Sequence, residues 1–416
     1  MYKKTVSVLM TAAMAGTMLA GLGTTTALAD GDKREVNFYY STDMESTAGD
    51  EIAAFNASQD EIEVIGHTIP ESDYDDKIKV MTAGGSEVAD VIWTRSPAQT
   101  NQYMENDALV NLAPYAEESG IDLTQIKDTS LKGITDEDGG FYGLPDKSTC
   151  WMLFYNKDLF DAKGLDYPVN ITWDEYMDLA ASLTAEEDGT KMWGTLIPNW
   201  EMNLGAIPQG TYLDSEDLTY TKKYAEILHR LYVDDQSAPG LGEMQSGSFD
   251  VYAYFETGNY YTMINGDWTF RLVHPDFNFG AAPLPIFEGG EEGASTGQAS
   301  FLAIPSTAAN PDDAYKFIEF YCTSDEGTSI IASKGDVPAY TTDAATKTYN
   351  ESVTADGVEY RFSAKIYDEE QPYAAYGSIT SAFKEELNLY LLDEQDLDTT
   401  FENFEELRAE IQEEEI

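Results

Sequence analysis

The sequence predicts an α/β fold divided into two halves. Three observations carry this reading: strand and helix patterns alternate near the start, the chain is too long for one core, and no Pro-rich linker or internal repeat breaks it into separate modules. Of 416 residues, removing an expected leader of 29 leaves 387, which at roughly 150 per domain makes two or three domains. Halves joined without a linker are expected to meet through short strands or hinges.

Residues 36–40 (VNFYY) are rich in β-formers, 46–57 carry Ile52, Ala53 and Phe55 as a short helix, and 62–65 (IEVI) read as a second strand. Ser72 is placed to cap a helix whose Ile78, Met81 and Thr82 face one way; Gly84 and Gly85 stop it, and 88–93 (VADVIW) form a third strand. Strand, helix, strand, helix, strand predicts right-handed crossovers and a parallel sheet. In open sheets of this kind ligands bind beyond the carboxyl ends of the strands, here residues 41–44 and 94–97.

Further along, Asp138-Gly139-Gly140 reads as a solvated turn between short strands, because its acids lack the alternating spacing and distant Glu of a calcium loop. Thr172 and Glu175 form a T-x-x-E capping box, with Tyr176, Leu179, Ala180 and Leu183 on one helix face. Another helix is expected over 221–233. Asn310-Pro311 open a helix with Asp312 and Asp313 in its first turn and Ala314, Phe317, Ile318 and Tyr321 buried. The end reads as two helices, 378–391 and 399–411, the second striped by Phe401, Phe404, Leu407 and Ile411.

The charge narrows the function. The chain holds 24 Lys and Arg against 76 Asp and Glu, a formal −52 that becomes −54 once Lys3 and Lys4 leave with the leader. Such a chain is repelled by polyanions, so a nucleic-acid partner and an anionic lipid surface are not expected. With 42% hydrophobic and 12% aromatic residues, the charge signals solubility rather than disorder. Cys150 and Cys322 stand far apart, each in an apolar run, and read as buried thiols in preference to one long-range bridge. His67, His229 and His274 lie out of helical or hairpin reach of one another, so no zinc site, and no other metal or cofactor, is expected.

Residues 1–29 read as an export signal: Lys3 and Lys4 are the charged start, 6–22 a mostly apolar segment, and Ala27-Leu28-Ala29 a cleavage site before Asp30. Gly16, Gly21 and Gly23 interrupt the segment, and no later stretch approaches the roughly 20 apolar residues of a membrane span. The mature chain is therefore expected outside the cytoplasm: extracellular, at the cell surface or periplasmic. Leu22 stands where a lipoprotein signal has Cys, so lipid attachment has no acceptor.

Four segments together resemble the bacterial extracellular solute-binding proteins of the carbohydrate-binding class (family 1), the receptors of ATP-driven sugar importers. Residues 74–93 (YDDKIKVMTAGGSEVADVIW) are similar to the family's helix, small-residue turn and "pDv" strand. Residues 140–180 (GFYGLPDKSTCWMLFYNKDLFDAKGLDYPVNITWDEYMDLA) are similar to its signature "yglP…l.YNkdlf.kaGl..P.TWdE". Residues 255–270 (FETGNYYTMINGDWTF) resemble "F..Gkaam...g.W", and 283–327 resemble the glycine-containing strand and helix pair that follow. The resemblance implies a two-lobe periplasmic-binding-protein-like fold, each lobe a mainly parallel sheet flanked by helices. It places 30–147 with 298–340 in one lobe and 148–297 with 341–416 in the other. The crossings fall near 147–151, 297–301 and Tyr340. A mono- or oligosaccharide would be gripped between closing lobes and delivered to importer permease subunits, by a monomer without catalytic activity.

A sugar offers hydroxyls and weakly apolar C–H faces, so its receptor needs planar rings edged by carboxylates, amides and an occasional Arg. Trp268 is the leading platform because it matches the family's stacking Trp; the alternative is a core Trp at a helix start. Asp267 reads either as a hydroxyl acceptor or as the cap of that helix. Asp43 stands at the cleft edge or in a solvated loop, and Arg95 either donates to a hydroxyl or pairs with an acid. Trp200 and Asn203 resemble a family contact region. Thr149, Cys150 and Trp151 fall on the crossing strand at the expected cleft floor, Trp151 alternatively being buried. Gln298 and Tyr376 complete the ring.

Two other functions compete. A secreted glycoside hydrolase would combine the same rings with two carboxylates roughly 5–9 Å apart, and with 76 acids a pair can always be nominated. No nucleophile elbow, H-E-x-x-H helix or phosphate loop is expected. A receptor for a cation such as a polyamine would exploit cation–π contacts, although surface charge says little about a pocket.

Overall fold

The computed structural model describes residues 33–85, 88–126, 128–247 and 249–414; the expected leader lies outside them. Alternating burial sets the first sheet. In β1 (Arg34–Ser41) Val36, Phe38 and Tyr40 point into the core, and the strand pairs in parallel with β2 (Ile62–Ile69) and β3 (Val91–Thr94). The helices between them, α1 (Glu45–Ser58) and α2 (Glu71–Thr82), are the two expected crossovers. α2 starts from Pro70, which serves as N-cap, and Ser72 bonds only its neighbour Asp73.

The remaining strands of this sheet come from later in the chain: β4 (Leu144–Ser148), β11 (Ala299–Ala303) and β12 (Val337–Pro338), giving the order β12-β4-β11-β3-β1-β2. β11 runs antiparallel to β3 and β4, and β12 antiparallel to β4. A second sheet has the order β6-β7-β8-β5-β9, from β5 (Trp151–Asn156), β6 (Ala185–Glu187), β7 (Thr190–Leu196), β8 (Tyr260–Gly266) and β9 (Phe279–Ala282). Only β7 and β8 are parallel there. The sheets are therefore mixed, where mainly parallel ones were expected. β11 returns to the first sheet from the other half and runs against β3 and β4, whereas in the second sheet β5 runs against β8 and β9 although all three lie in the same half.

Each sheet anchors its own core. The first gathers Phe38, Val64, Val91, Leu302, Phe317 and Tyr321; the second gathers Leu153, Trp173, Tyr224, Ile264, Phe383 and Phe404. The Thr172–Glu175 capping box opens α3 (Trp173–Leu183) as expected. Pro311 opens α4 (Pro311–Thr323), though the Asn310 side chain makes no cap bond. The late helices α5 (Ala375–Leu391) and α6 (Leu397–Glu414) close the second core through Phe383, Phe401 and Phe404. Cys322 lies in the first core and Cys150 beside the second sheet, both buried and unbridged. Among the described residues no helix is long and apolar enough to cross a membrane.

Three segments connect the halves. Thr149-Cys150 lead from β4 to β5, and Gln298 leads from β10 (Ala294–Gly297) to β11. β10 pairs in parallel with β13 (Lys365–Asp368), a ribbon tied to β5 where Ser295 Oγ donates to the Trp151 carbonyl (2.6 Å). The third passage comes later than Tyr340: the Thr341 amide still bonds Gln125 in the first half, and the chain meets the second sheet where the Asp356 carbonyl accepts from Ala281 N (2.8 Å).

Candidate functional site

β8 ends at Gly266, and the chain turns so that the half-buried indole of Trp268 lies across that glycine. A Cβ at 266 would overlap Cζ3, Cη2 and Cε3 of the ring, so this placement of the indole requires glycine there. Trp268 Nε1 donates to Tyr252 Oη (2.9 Å), and Trp151 meets it edge-on with ring centroids 5.5 Å apart. Trp151 is 3% exposed and packs against that indole, its Nε1 donating to Glu369 Oε1 (2.8 Å). The exposed Trp200 stands outside, 6.3 Å from the Tyr252 ring.

Around these rings gathers a set of acids that the sequence reading did not single out. Burial raises the Glu369 carboxyl to about 7, Trp151 opposing and Glu370 adding to the rise. Burial, with Glu369 next, pushes Glu201 well above the carboxylate range, and burial also raises Glu370, which bonds Ser96 at the mouth of the first sheet. Glu201 holds the Asn203 backbone N–H (2.8 Å); the half-buried Lys384 faces it, and burial lowers the Lys384 pKa.

The opposite wall is the end of β1 and β3. Arg95 spreads over the Trp93 ring (4.9 Å) and the Tyr74 ring (5.6 Å), with Asp43, Glu71 and Asp75 at 3.9, 3.7 and 3.5 Å. Arg271, from the second half, donates to the Asp43 carbonyl (3.1 Å) and lies 3.1 Å from Asp336, which Lys147 reaches at 3.3 Å. Burial alone would raise the Asp336 pKa; these two cations outweigh it and hold the group below the usual value.

The structure thus brings together Trp268, Trp151, Asp43 and Arg95 with Thr149 and Gln298, and leaves Trp200 exposed at the rim beside Tyr252. Thr149 and Gln298 exchange hydrogen bonds across the connecting strands beside a cavity of about 80 Å³ that Pro97 and Asp368 also line. Three expectations change. Asp267 neither caps a helix with its side chain nor waits for a hydroxyl: it is 4% exposed and its carboxylate pairs with the buried Arg361. Tyr376 is 2% exposed, its hydroxyl accepting from Leu213 N (3.2 Å), so its ring belongs to the second core. Asn203 is 1% exposed and tied to the Thr211 carbonyl (3.0 Å).

Gly293-Ala294-Ser295-Thr296-Gly297 does fit G-x-S-x-G, but Ser295 is 2% exposed on β10 and its hydroxyl is spent on Trp151, whereas a nucleophile elbow exposes its serine at a strand-to-helix turn. Among the residues missed, Glu201 lay between Trp200 and Asn203, and Glu369 and Glu370 were an unmarked pair among 76 acids.

A relative from Streptococcus pneumoniae, a maltooligosaccharide ABC transporter solute-binding lipoprotein, is 22% identical over 53% of this chain and 54% of its own length. The match thus spans about half of that curated relative. An ABC substrate-binding protein from Listeria monocytogenes, solved with cycloalternan, superposes with a TM-score of 0.81 at 21% identity, covering 92% of this chain and 99% of that one. A solute-binding protein from Thermotoga lettingae bound with α-D-tagatose does so with a TM-score of 0.77 at 19% identity, covering 91% and 100%. These likenesses establish the two-lobe fold. Residues 40–328 match the family described as bacterial extracellular solute-binding protein, and this chain belongs to that family.

Proposed function

We propose that this protein captures a sugar or oligosaccharide between its two lobes and hands it, unchanged, to the permease of an ABC importer. The observation that carries the reading is the Trp268 platform, seated on Gly266, braced by Trp151 and edged by Glu369. A ring face stacks on the indole while carboxylates accept from hydroxyls, and contacts from both walls favour the closed arrangement only as far as the open one lacks them. Family membership and relatives whose names state oligosaccharide transport or oligosaccharide binding support this reading. Export by residues 1–29, action as a monomer, and lobes divided at the three connecting segments belong to the same proposal.

A thermal-shift panel tests it. A saccharide at 100 times its dissociation constant should add about 2.7 kcal/mol of stability, and small-angle scattering should show compaction. Stabilisation by polyamines alone would transfer the cleft to cationic solutes. Shortened saccharide recovered after incubation would make the protein a hydrolase.

A further inference from the structure

Asp267 stands between Gly266 and the Trp268 platform, and its main chain and side chain both lead to the first connecting segment. Its backbone N–H donates to the Cys150 carbonyl (2.9 Å). Its carboxylate accepts from Nε of Arg361, and Nη2 of the same guanidinium donates to the Ser148 carbonyl (2.8 Å) and hydroxyl (3.0 Å). Residues 148 and 150 are thus both held from the residue next to the platform.

Thr149, between them, is tied to the second connecting segment. Its N–H donates to the Gln298 carbonyl (2.8 Å), and its hydroxyl accepts from Gln298 N (3.0 Å). The two segments run so close that a Cβ at Gly297 would stand 2.0 Å from the Thr149 carbonyl oxygen. Arg361 itself lies on the short helix Glu359–Ser363, just past Asp356, where the third passage meets the second sheet. One guanidinium therefore links the third passage to the first, and through Thr149 to the second, at the backbone that carries Trp268.

Arg361 is 2% exposed and Asp267 4%. Were charge compensation the whole purpose of the pair, the Nε contact would serve. The second arm of the guanidinium is spent on Ser148, and a planar fork fixes the angle between the two contacts. Resting on the saccharide reading above, we propose that Arg361 is a positioning residue for ligand binding: through Asp267 and Ser148 it fixes the Trp268 platform to the pivot, and so sets saccharide affinity without touching the saccharide. As the halves close, the wall that bears Arg95 and Asp43 swings onto a ring whose place is already set, which leaves less ordering for the ligand to impose.

The test is a double-mutant cycle read by calorimetric titration of the full mature chain. Mono- to tetrasaccharides of glucose, mannose, galactose and arabinose are screened first, and the tightest binder is carried through the cycle. Arg361→Lys keeps a cation beside Asp267 and removes the fork that reaches Ser148. It should weaken binding roughly 5- to 20-fold in the parent, and less than about twofold once Trp268→Ala is present. Phe404→Leu, a substitution in the second core that lowers the melting temperature, should leave the affinity within about twofold, which separates lost stability from a lost position. Should Arg361→Lys fail to fold, Ser148→Ala removes only the hydroxyl arm, with an expected loss of about 2- to 5-fold and the same dependence on Trp268. Equal losses with and without Trp268 would overturn the assignment, because Arg361 would then act on the halves at large. Unchanged affinity in Arg361→Lys would overturn it too, and either result leaves the saccharide reading standing. Binding of none of the saccharides would overturn that reading, and this proposal with it.

Discussion

Asp336 and Glu369 are both buried carboxyl groups where the two halves meet, with opposite surroundings. Asp336 is 5% exposed and answered by Lys147 and Arg271, so it stays ionised below its usual range. Glu369 is 8% exposed and answered by an indole N–H and no cation, so burial lifts it to about 7. The first arrangement spends charge on holding Arg271 of one half against the other. The second leaves acceptor capacity beside an aromatic platform, which is what a polyhydroxylated ligand needs.

The contrast is open to direct tests. Asp336→Ala should cost about 3–5 kcal/mol in denaturant unfolding, because it leaves Lys147 and Arg271 buried without their partner. A loss under 1 kcal/mol would mean the hub is not what holds these cations. Glu369→Gln should do the reverse. Its carboxyl rises from 4.5 to about 7 on folding, so the unfolded chain binds fewer protons than the folded one between those values, and stability falls as pH rises through that window. The variant should match the parent near pH 4 and exceed it by at most about 3 kcal/mol at pH 8. Asp336 has the opposite sign: its folded pKa lies below 3.8, so its contribution is lost as pH falls below that value. From these two groups the parent's melting temperature should peak near pH 4–5; a flat profile from pH 4 to 8 would contradict the reading of Glu369, and the absence of a fall below about pH 3.8 would contradict that of Asp336.

Smaller effects probe the cleft itself. Trp268→Ala should weaken saccharide binding by about 2 kcal/mol, roughly 30-fold, with little change in melting temperature. Gly266→Ala should reproduce much of that loss by pushing the indole aside. Arg95→Ala should alter stability by less than about 1 kcal/mol, since its ion contacts run from 3.5 to 3.9 Å and two of its acids are exposed.

What the sequence disclosed was local. The β-rich run at residues 36–40, the Thr172–Glu175 box and the Pro311 helix start depend on neighbours within a few positions, and each forms as read. Trp268 was singled out because Gly266-Asp267-Trp268 resembles the family's stacking position, and the demand for glycine at 266 emerges only from the structure. Asp267 and Tyr376 were misread because their partners, Arg361 and Leu213, are far along the chain, and nothing near either residue announces them. Glu369 and Glu370 were hidden for a different reason: burial, not identity, separates them from the other acids of a chain with 76. The sense of the later strands depended on pairings between segments distant in sequence, such as β5 with β8 and β9 and β3 with β11, a property of the whole path.

The placement of the two thiols carries one more consequence. Cys322 is 0% exposed in the first core and Cys150 is 1% exposed on the connection into the second sheet, so each half holds a single shielded thiol. A thiol reagent can reach either one only through transient opening of the structure around it. Labelling rates at the two positions therefore time the opening of each half separately, and adding ligand should slow the one whose surroundings the ligand holds shut.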